Sequence, residues 1–89
     1  MNRRELLASI DIELVCADGF DDAILGICER AGGLDVVAYD SKKCIDILMS
    51  NDEMDEAEAN EYFYFNVVGA YMGERTPVFI MTTSFEVFA

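Results

Sequence analysis

The apolar and polar residues of this chain alternate with different periods, and each period predicts an element. Residues 2–8 predict a short helix. In residues 10–15, IDIELV, apolar side chains alternate with acidic ones, which is typical of a half-exposed strand. In residues 20–31, apolar side chains recur at the i, i+3, i+4 and i+7 spacing of a helix with one buried side. The members of that predicted buried stripe are Ile24, Ile27, Cys28 and Ala31.

The residues that flank 20–31 support a helix there. Asp18 or Asp21 can act as the N-cap, since a carboxylate accepts the free backbone N–H groups of a first turn. Gly32 and Gly33 follow at the place where helices commonly end in a left-handed residue.

The middle of the chain predicts a strand and then a helix. LDVVAYD, residues 34–40, favours a strand because it contains adjacent β-branched valines. Asp40 or Ser41 then caps a helix over residues 41–50, with its apolar side chains on one side and Lys42 among the solvated residues.

The end of the chain predicts a third strand. VFIMTT, residues 78–83, follows the turn GERTP, and Pro77 is acceptable because proline can begin a strand. The last five residues, FEVFA, predict either a further strand or an ordered tail.

Residues 52–66, DEMDEAEANEYFYFN, are acidic in their first half and aromatic in their second. The first half favours a helix, and no helix breaker precedes Gly69. We therefore expect one helix from about residue 53 to 71. At 3.6 residues per turn, one face of this helix combines the apolar residues Met54, Ala57, Phe65, Val68 and Met72.

These elements predict an α+β fold, with about three helices packed on a small three-stranded sheet. A chain of 89 residues forms one domain, so residues 1–89 are expected to fold as a single acidic unit. No apolar run approaches the roughly 20 residues that cross a bilayer. We expect a cytoplasmic protein that does not bind membranes.

The charge of the chain limits its partners. The sequence has 18 acidic and 6 basic residues and a formal net charge of −12. Direct binding to nucleic acid is not expected, because phosphate neutralisation needs lysine and arginine. The charge favours a protein partner with a basic surface, and nucleic-acid-binding proteins have such surfaces. The alternative is that the acidity only maintains solubility.

The sequence offers few residues for catalysis. It contains no histidine, the commonest general base and zinc ligand. Neither a nucleotide-binding glycine loop nor a calcium-loop motif occurs. Cys16, Cys28 and Cys44 are predicted to be buried, reduced thiols. We expect a protein that is not an enzyme and that uses no metal and no cofactor.

The acidic half of residues 52–66 is the first part of the candidate binding site. Six carboxylates lie within ten residues, a length of about 14 Å in a helix. A DNA duplex carries about eight charges over that length, so this segment can imitate a phosphate backbone towards a basic groove. The alternative is that early acids stabilise the positive end of a helix dipole, which accounts less well for the last two. The six acids are Asp52, Glu53, Asp55, Glu56, Glu58 and Glu61.

The aromatic half supplies the candidate anchors. Four consecutive rings, residues 62–65, cannot all point into a core from one helix, so at least one is expected at the surface. Tyrosine suits an interface because it is large, fairly rigid and polar at its tip. Tyr62, Tyr64 and Tyr71 are the predicted anchors, and the alternative is that these rings only pack at the rim of the core.

Three ordered segments of the sequence resemble a widespread family of small acidic bacteriophage and prophage proteins. They are GFDDAILGICERAG, VVAYDSKKCIDILM and MDEAEANEYFYFNVVGAYMGERTPVF, and the resemblance covers roughly residues 18–80. The family is generally labelled as uncharacterised. The resemblance implies a phage-encoded protein that acts in a bacterial cytoplasm and implies no reaction.

The sequence leaves two main functions open, besides a small carboxylate enzyme or a nucleotide-binding module. The leading hypothesis is a non-catalytic inhibitor that binds a nucleic-acid-handling defence complex of the host, by analogy of size and charge with anti-CRISPR proteins. Its partner would be a bacterial host protein with a basic nucleic-acid-binding surface. The alternative is a phage accessory protein, or a homodimeric subunit, that modulates replication or transcription.

Overall fold

Residues 1–83 form three helices and one three-stranded sheet, which confirms the predicted α+β class. The structure is a computed structural model, and it describes residues 1–83. The helices are α1 (Arg3–Ile10), α2 (Ser41–Asn51) and α3 (Glu56–Tyr62), and α3 continues directly into a π-helical segment (Phe63–Val68). The strands are β1 (Ile24–Cys28), β2 (Val36–Asp40) and β3 (Val78–Ile80), and a 3-10 turn (Asp21–Ala23) precedes β1.

The central strand β2 joins the other two. It pairs antiparallel with β1 and parallel with β3, and the latter register aligns Tyr39 with Phe79. Every residue from Val36 to Tyr39 is buried. A continuous apolar run suits a strand that is covered on both faces, and the prediction of a strand over residues 34–40 is confirmed.

An aromatic cluster connects the sheet to the π-helical segment. The ring of Phe79 stacks on Tyr39, with 5.5 Å between the ring centroids, and meets Phe63 edge to face at 5.3 Å. Tyr39 and Phe63 are fully buried. Both arrangements are favourable for aromatic pairs, so these three rings fix the helical segment against the sheet.

The hydroxyl group of Tyr39 fixes the segment between α1 and β1. It accepts a hydrogen bond of 2.7 Å from the backbone N–H of Ala17. Burial raises the pKa of Tyr39, because the phenolate would lose its hydration. The hydroxyl therefore stays neutral and keeps a buried backbone donor satisfied.

The prediction of a helix over residues 20–31 is wrong, because this segment forms the 3-10 turn and β1. Asp18 and Asp21 are not helix caps; they pair with Arg4 at 2.9 Å and 3.4 Å. Gly32 has a φ of 72° and lies in the loop between β1 and β2. The left-handed residue was located correctly, but it belongs to the connection between two strands.

The predicted stripe is also broken. Ile24 is buried, Ile27 and Cys28 are half-buried, and Ala31 is exposed. A five-residue apolar run matches both helical and strand patterns. Pairing with the buried strand β2 decides in favour of the strand.

The prediction of a strand over residues 10–15 is wrong as well. Helix α1 extends to Ile10, and Ile12 is 80% exposed. The Asp11 carboxylate accepts a 3.0 Å hydrogen bond from the backbone N–H of Glu13 and binds Arg75 at 2.8 Å. The first of these bonds, with the second adding to it, lowers the pKa of Asp11. The local hydrogen bond favours a turn over a strand ladder.

The other predicted elements are confirmed with small changes in length. The short first helix is α1, and the helix predicted over 41–50 is α2. Its cap is Asp40, whose carboxylate accepts the backbone N–H groups of Lys42 and Lys43 at 3.0 Å and 3.3 Å. The third strand is β3, which is shorter than predicted. The predicted strand or tail at residues 85–89 lies outside the described residues.

All three cysteines are free thiols. Cys44 is fully buried, and burial raises the pKa of its thiol to about 12, so it stays protonated at neutral pH. Cys16 and Cys28 are half-buried, which is less burial than the sequence predicted. Among residues 1–83, no helix is long and apolar enough to span a bilayer.

Candidate functional site

Helix α3 starts at Glu56, three residues later than the sequence predicted. Its N-cap is Asp55, whose carboxylate accepts the backbone N–H of Glu58 at 2.8 Å. The Glu58 carboxylate in turn accepts the backbone N–H of Asp55 at 3.4 Å. This reciprocal pair is a capping box. It gives two of the six predicted acids a structural role at the helix start.

Asp52 and Glu53 lie before the helix, in the turn that follows α2. Asp52 is the C-cap of α2. Glu53 has a φ of 55°, a left-handed conformation that glycine or asparagine usually adopts after a helix. A side chain there costs about 1–2 kcal/mol. The turn therefore stores local strain while it reverses the chain towards α3.

The π-helical segment continues the buried side of α3. Its hydrogen bonds run from i to i+5, so each turn contains more residues than an α-helical turn. The buried residues Ala59, Phe63 and Val67 recur every four positions. These three residues face the core. The apolar side that was predicted from 3.6 residues per turn does not.

The predicted apolar face is wrong. The structure exposes 77% of Phe65 and leaves Val68 and Met72 exposed at the surface. Ala57 is exposed too, and Met54 is half-buried. Met54 and Met72 also lie outside the helix, because α3 begins at Glu56 and the π-helical segment ends at Val68.

The exposed side of this helix carries two acids and two rings. Glu58, Glu61, Tyr62 and Phe65 follow the spacing of one helical side. Together with Met54 and Asn66 they line a shallow groove of about 350 Å³, which we call the α3 groove. Glu58 lies four residues before Tyr62 and Glu61 four residues before Phe65, so the groove contains two neighbouring carboxylate–ring pairs.

The remaining predicted residues lie elsewhere. Glu56 and Tyr64 line a different depression, of about 370 Å³, which faces Lys42 and Met49 of α2. Tyr71 is 81% exposed and lines a third depression, to which Arg30 also belongs. The structure therefore brings together Glu58, Glu61 and Tyr62, and separates them from the other predicted anchors.

The predicted array of six acids along one helix is not formed. Only Glu56, Glu58 and Glu61 lie on α3. They span about 7.5 Å at the usual rise, which is half of the predicted length. Asp52, Glu53 and Asp55 belong to the end of α2 and the turn.

The α3 groove has no neutralising base from its own segment. No lysine or arginine occurs between Lys43 and Arg75. Among the described residues, the salt bridges involve none of the six predicted acids. Carboxylates beside exposed ring faces attract a cation, since the ring faces are also negative.

The groove combines carboxylates with exposed aromatic surface. Within residues 1–83, no group of three or more histidine, cysteine or acidic side chains could hold a metal ion. Sequence reasoning missed Phe65, Met54 and Asn66 as groove residues. The i, i+4 relation between Glu61 and Phe65, in a stretch without bases, was the signal that pointed to Phe65.

Replacing Asp55 by alanine is expected to destabilise the protein by about 1 kcal/mol, because the first turn of α3 loses its cap. Urea denaturation followed by circular dichroism measures the change. Asp52→Ala is the matched control: its carboxylate lies at the C-terminal end of α2, where negative charge is unfavourable, so its stability should be unchanged or slightly higher. Equal midpoints for Asp55→Ala and the unmodified protein would contradict the capping role.

Comparison of this chain with protein-family models, curated proteins and solved structures finds no significant match. The resemblance to small acidic phage proteins therefore depends on the sequence motifs alone, and the groove is interpreted from its own geometry.

Proposed function

We propose that this protein is a non-catalytic inhibitor that binds a basic, nucleic-acid-binding surface of a bacterial host protein through the α3 groove. One observation carries the proposal. The exposed side of a single helix presents two carboxylates and two rings, in a segment without a neutralising base.

The net charge supports this kind of partner. A charge of −12 attracts a basic surface over about 8–10 Å at physiological salt, and it raises the rate of encounter. The same charge repels nucleic acid and anionic lipids. A protein of this kind would compete with nucleic acid for one basic surface without binding nucleic acid itself.

The resemblance to phage proteins supports the biological setting. A phage protein that occupies the nucleic-acid site of a host defence complex would act as an anti-defence inhibitor, and small size and strong acidity suit that role. Mimicry of a phosphate backbone is supported less than the sequence suggested, because only three of the acids lie on α3. We therefore propose recognition by the groove in place of an extended acidic ladder.

A tagged pull-down tests the proposal. The protein is mixed with bacterial lysate that contains representative defence complexes, and bound proteins are eluted with a salt gradient. We expect one nucleic-acid-binding protein to elute at moderate salt, and its own nucleic acid to displace it from the column. If nucleic acid does not displace the captured protein, the result contradicts the proposal.

A second candidate is the homodimeric accessory protein. Ile80 and Met81, at the end of β3, are exposed apolar side chains that a second copy could cover. Recovery of only the protein itself, as a dimer that salt does not dissociate, would favour this candidate and contradict the inhibitor.

A further inference from the structure

We propose that the α3 groove recognises an arginine side chain of the partner. This inference rests on the proposed function and specifies the chemistry that the groove accepts. The groove offers two positions of the same kind, in each of which a carboxylate lies four residues before an exposed ring.

The geometry of these pairs suits a planar cation. Residues four apart on a helix are neighbours, with about 5–6 Å between their Cβ atoms. A guanidinium group can lie flat on the ring of Phe65 and direct its N–H groups towards the carboxylate of Glu61. The same relation connects Tyr62 with Glu58.

Arginine fits this arrangement better than lysine. The guanidinium is planar, weakly hydrated and able to donate two parallel hydrogen bonds to a carboxylate. The lysine ammonium is compact and strongly hydrated, so it gains less from the ring face. An apolar partner side chain would leave both carboxylates without a counter-charge.

The groove is partly organised before binding. One oxygen of Glu58 accepts a long hydrogen bond of 3.4 Å from the backbone N–H of Asp55, which restricts the side chain and leaves its second oxygen for a ligand in this proposal. A side chain that is already held in place loses less conformational entropy on binding. The capping box thus gives α3 its start and also orients one carboxylate of the groove.

The chain's own arginines are engaged elsewhere in the described residues. Arg4 binds Asp18, and Arg75 binds Asp11. Arg30 donates to the carbonyl groups of Leu34 and Glu74, and Arg3 donates to the carbonyl of Asp22. An arginine for the groove must therefore come from another molecule.

The test uses the intact protein and two short glycine–serine peptides, one with several arginines and one with the same number of lysines. Affinity is measured by an amide-resolved NMR titration. We expect the arginine peptide to bind at least about fivefold more tightly than the lysine peptide. The shifted amides should lie in residues 58–66. Equal affinities, or shifts spread over all acidic residues, would overturn the inference.

Variants test whether the α3 groove causes the preference for arginine. Phe65→Ala and Glu61→Gln should each weaken binding of the arginine peptide by about fivefold or more and reduce its advantage over the lysine peptide, which the Glu58–Tyr62 pair retains in part. Glu29→Gln removes the same charge from an exposed residue beyond β1 and should change the affinity by less than about twofold. If Glu29→Gln has the same effect as Glu61→Gln, binding depends on net charge and the inference fails.

The two proposals can fail separately. Capture of a nucleic-acid-binding protein without any arginine preference would overturn this inference and leave the proposed function standing. Arginine preference without such a protein in the pull-down would overturn the proposed function, and the groove would remain an arginine site for a different partner.

Discussion

Replacing Phe63 by alanine is expected to destabilise the protein by about 3–5 kcal/mol, which is the usual cost of removing a buried phenylalanine ring. Phe63 has no exposed surface. Its ring meets the rings of Phe79 and Tyr64 edge to face, with 5.3 Å and 5.0 Å between the ring centroids. Removal leaves a cavity between the π-helical segment and β3. The free energy of unfolding of a small domain is only about 5–15 kcal/mol, so this loss approaches the whole stability of the fold.

Urea denaturation, followed by far-ultraviolet circular dichroism, measures this loss as a lower midpoint. The slope of the transition should not change, because the surface exposed on unfolding is nearly the same. Phe65→Ala is the matched control: the same substitution two residues later, on a ring that is 77% exposed, should alter the stability by less than about 0.5 kcal/mol. Similar midpoints for the two variants would contradict the assignment of Phe63 to the core.

The sequence predicts an element correctly where one physical signal dominates. Helix α2 begins where the Asp40 carboxylate accepts two backbone N–H groups, and β2 is an apolar run that suits a strand buried on both faces. These signals are local, so no knowledge of neighbouring elements is needed to recognise them.

The two wrong elements depend on contacts that are distant in sequence. The segment 24–28 becomes a strand because β2 offers a partner for pairing, and its periodicity alone is equally consistent with a helix. Residues 10–15 are prevented from forming a strand by a turn around Asp11 and its ion pair with Arg75. A single sequence does not reveal that Arg75 is near.

The candidate site was predicted in composition but not in arrangement. The expectation that at least one of four consecutive rings lies at the surface is confirmed, since Tyr62, Tyr64 and Phe65 are exposed and Phe63 is buried. The six acids were expected in one array, but the helix starts later and uses Asp55 and Glu58 in its cap. Phe65 is predicted on the buried face because the helix has two apolar stripes, one with Ala57 and Phe65 and one with Ala59 and Phe63, and periodicity alone does not decide which of them packs on the sheet.

Glu61 lines the α3 groove and Glu56 lines a different depression. We therefore expect the largest loss of binding from a substitution at Glu61. Glu61→Lys should reduce the affinity for the basic partner by at least about 30-fold, since it replaces an attraction by a repulsion inside the groove. Glu56→Lys should reduce it by only about two- to threefold, because Glu56 lies in the depression against α2 and acts through the long-range field.

The two variants form a matched pair. Both residues are exposed glutamates of α3, and each substitution replaces a negative charge by a positive one, so the formal net charge changes from −12 to −10 in both variants. The affinity of each variant for the captured protein is measured by titration at low and at physiological salt. Glu61→Lys should lose more affinity than Glu56→Lys, and this difference should decrease as the salt concentration increases, because salt screens the repulsion. Equal losses for the two variants at every salt concentration would show that binding follows the net charge of the chain, and the α3 groove would then have no part in recognition.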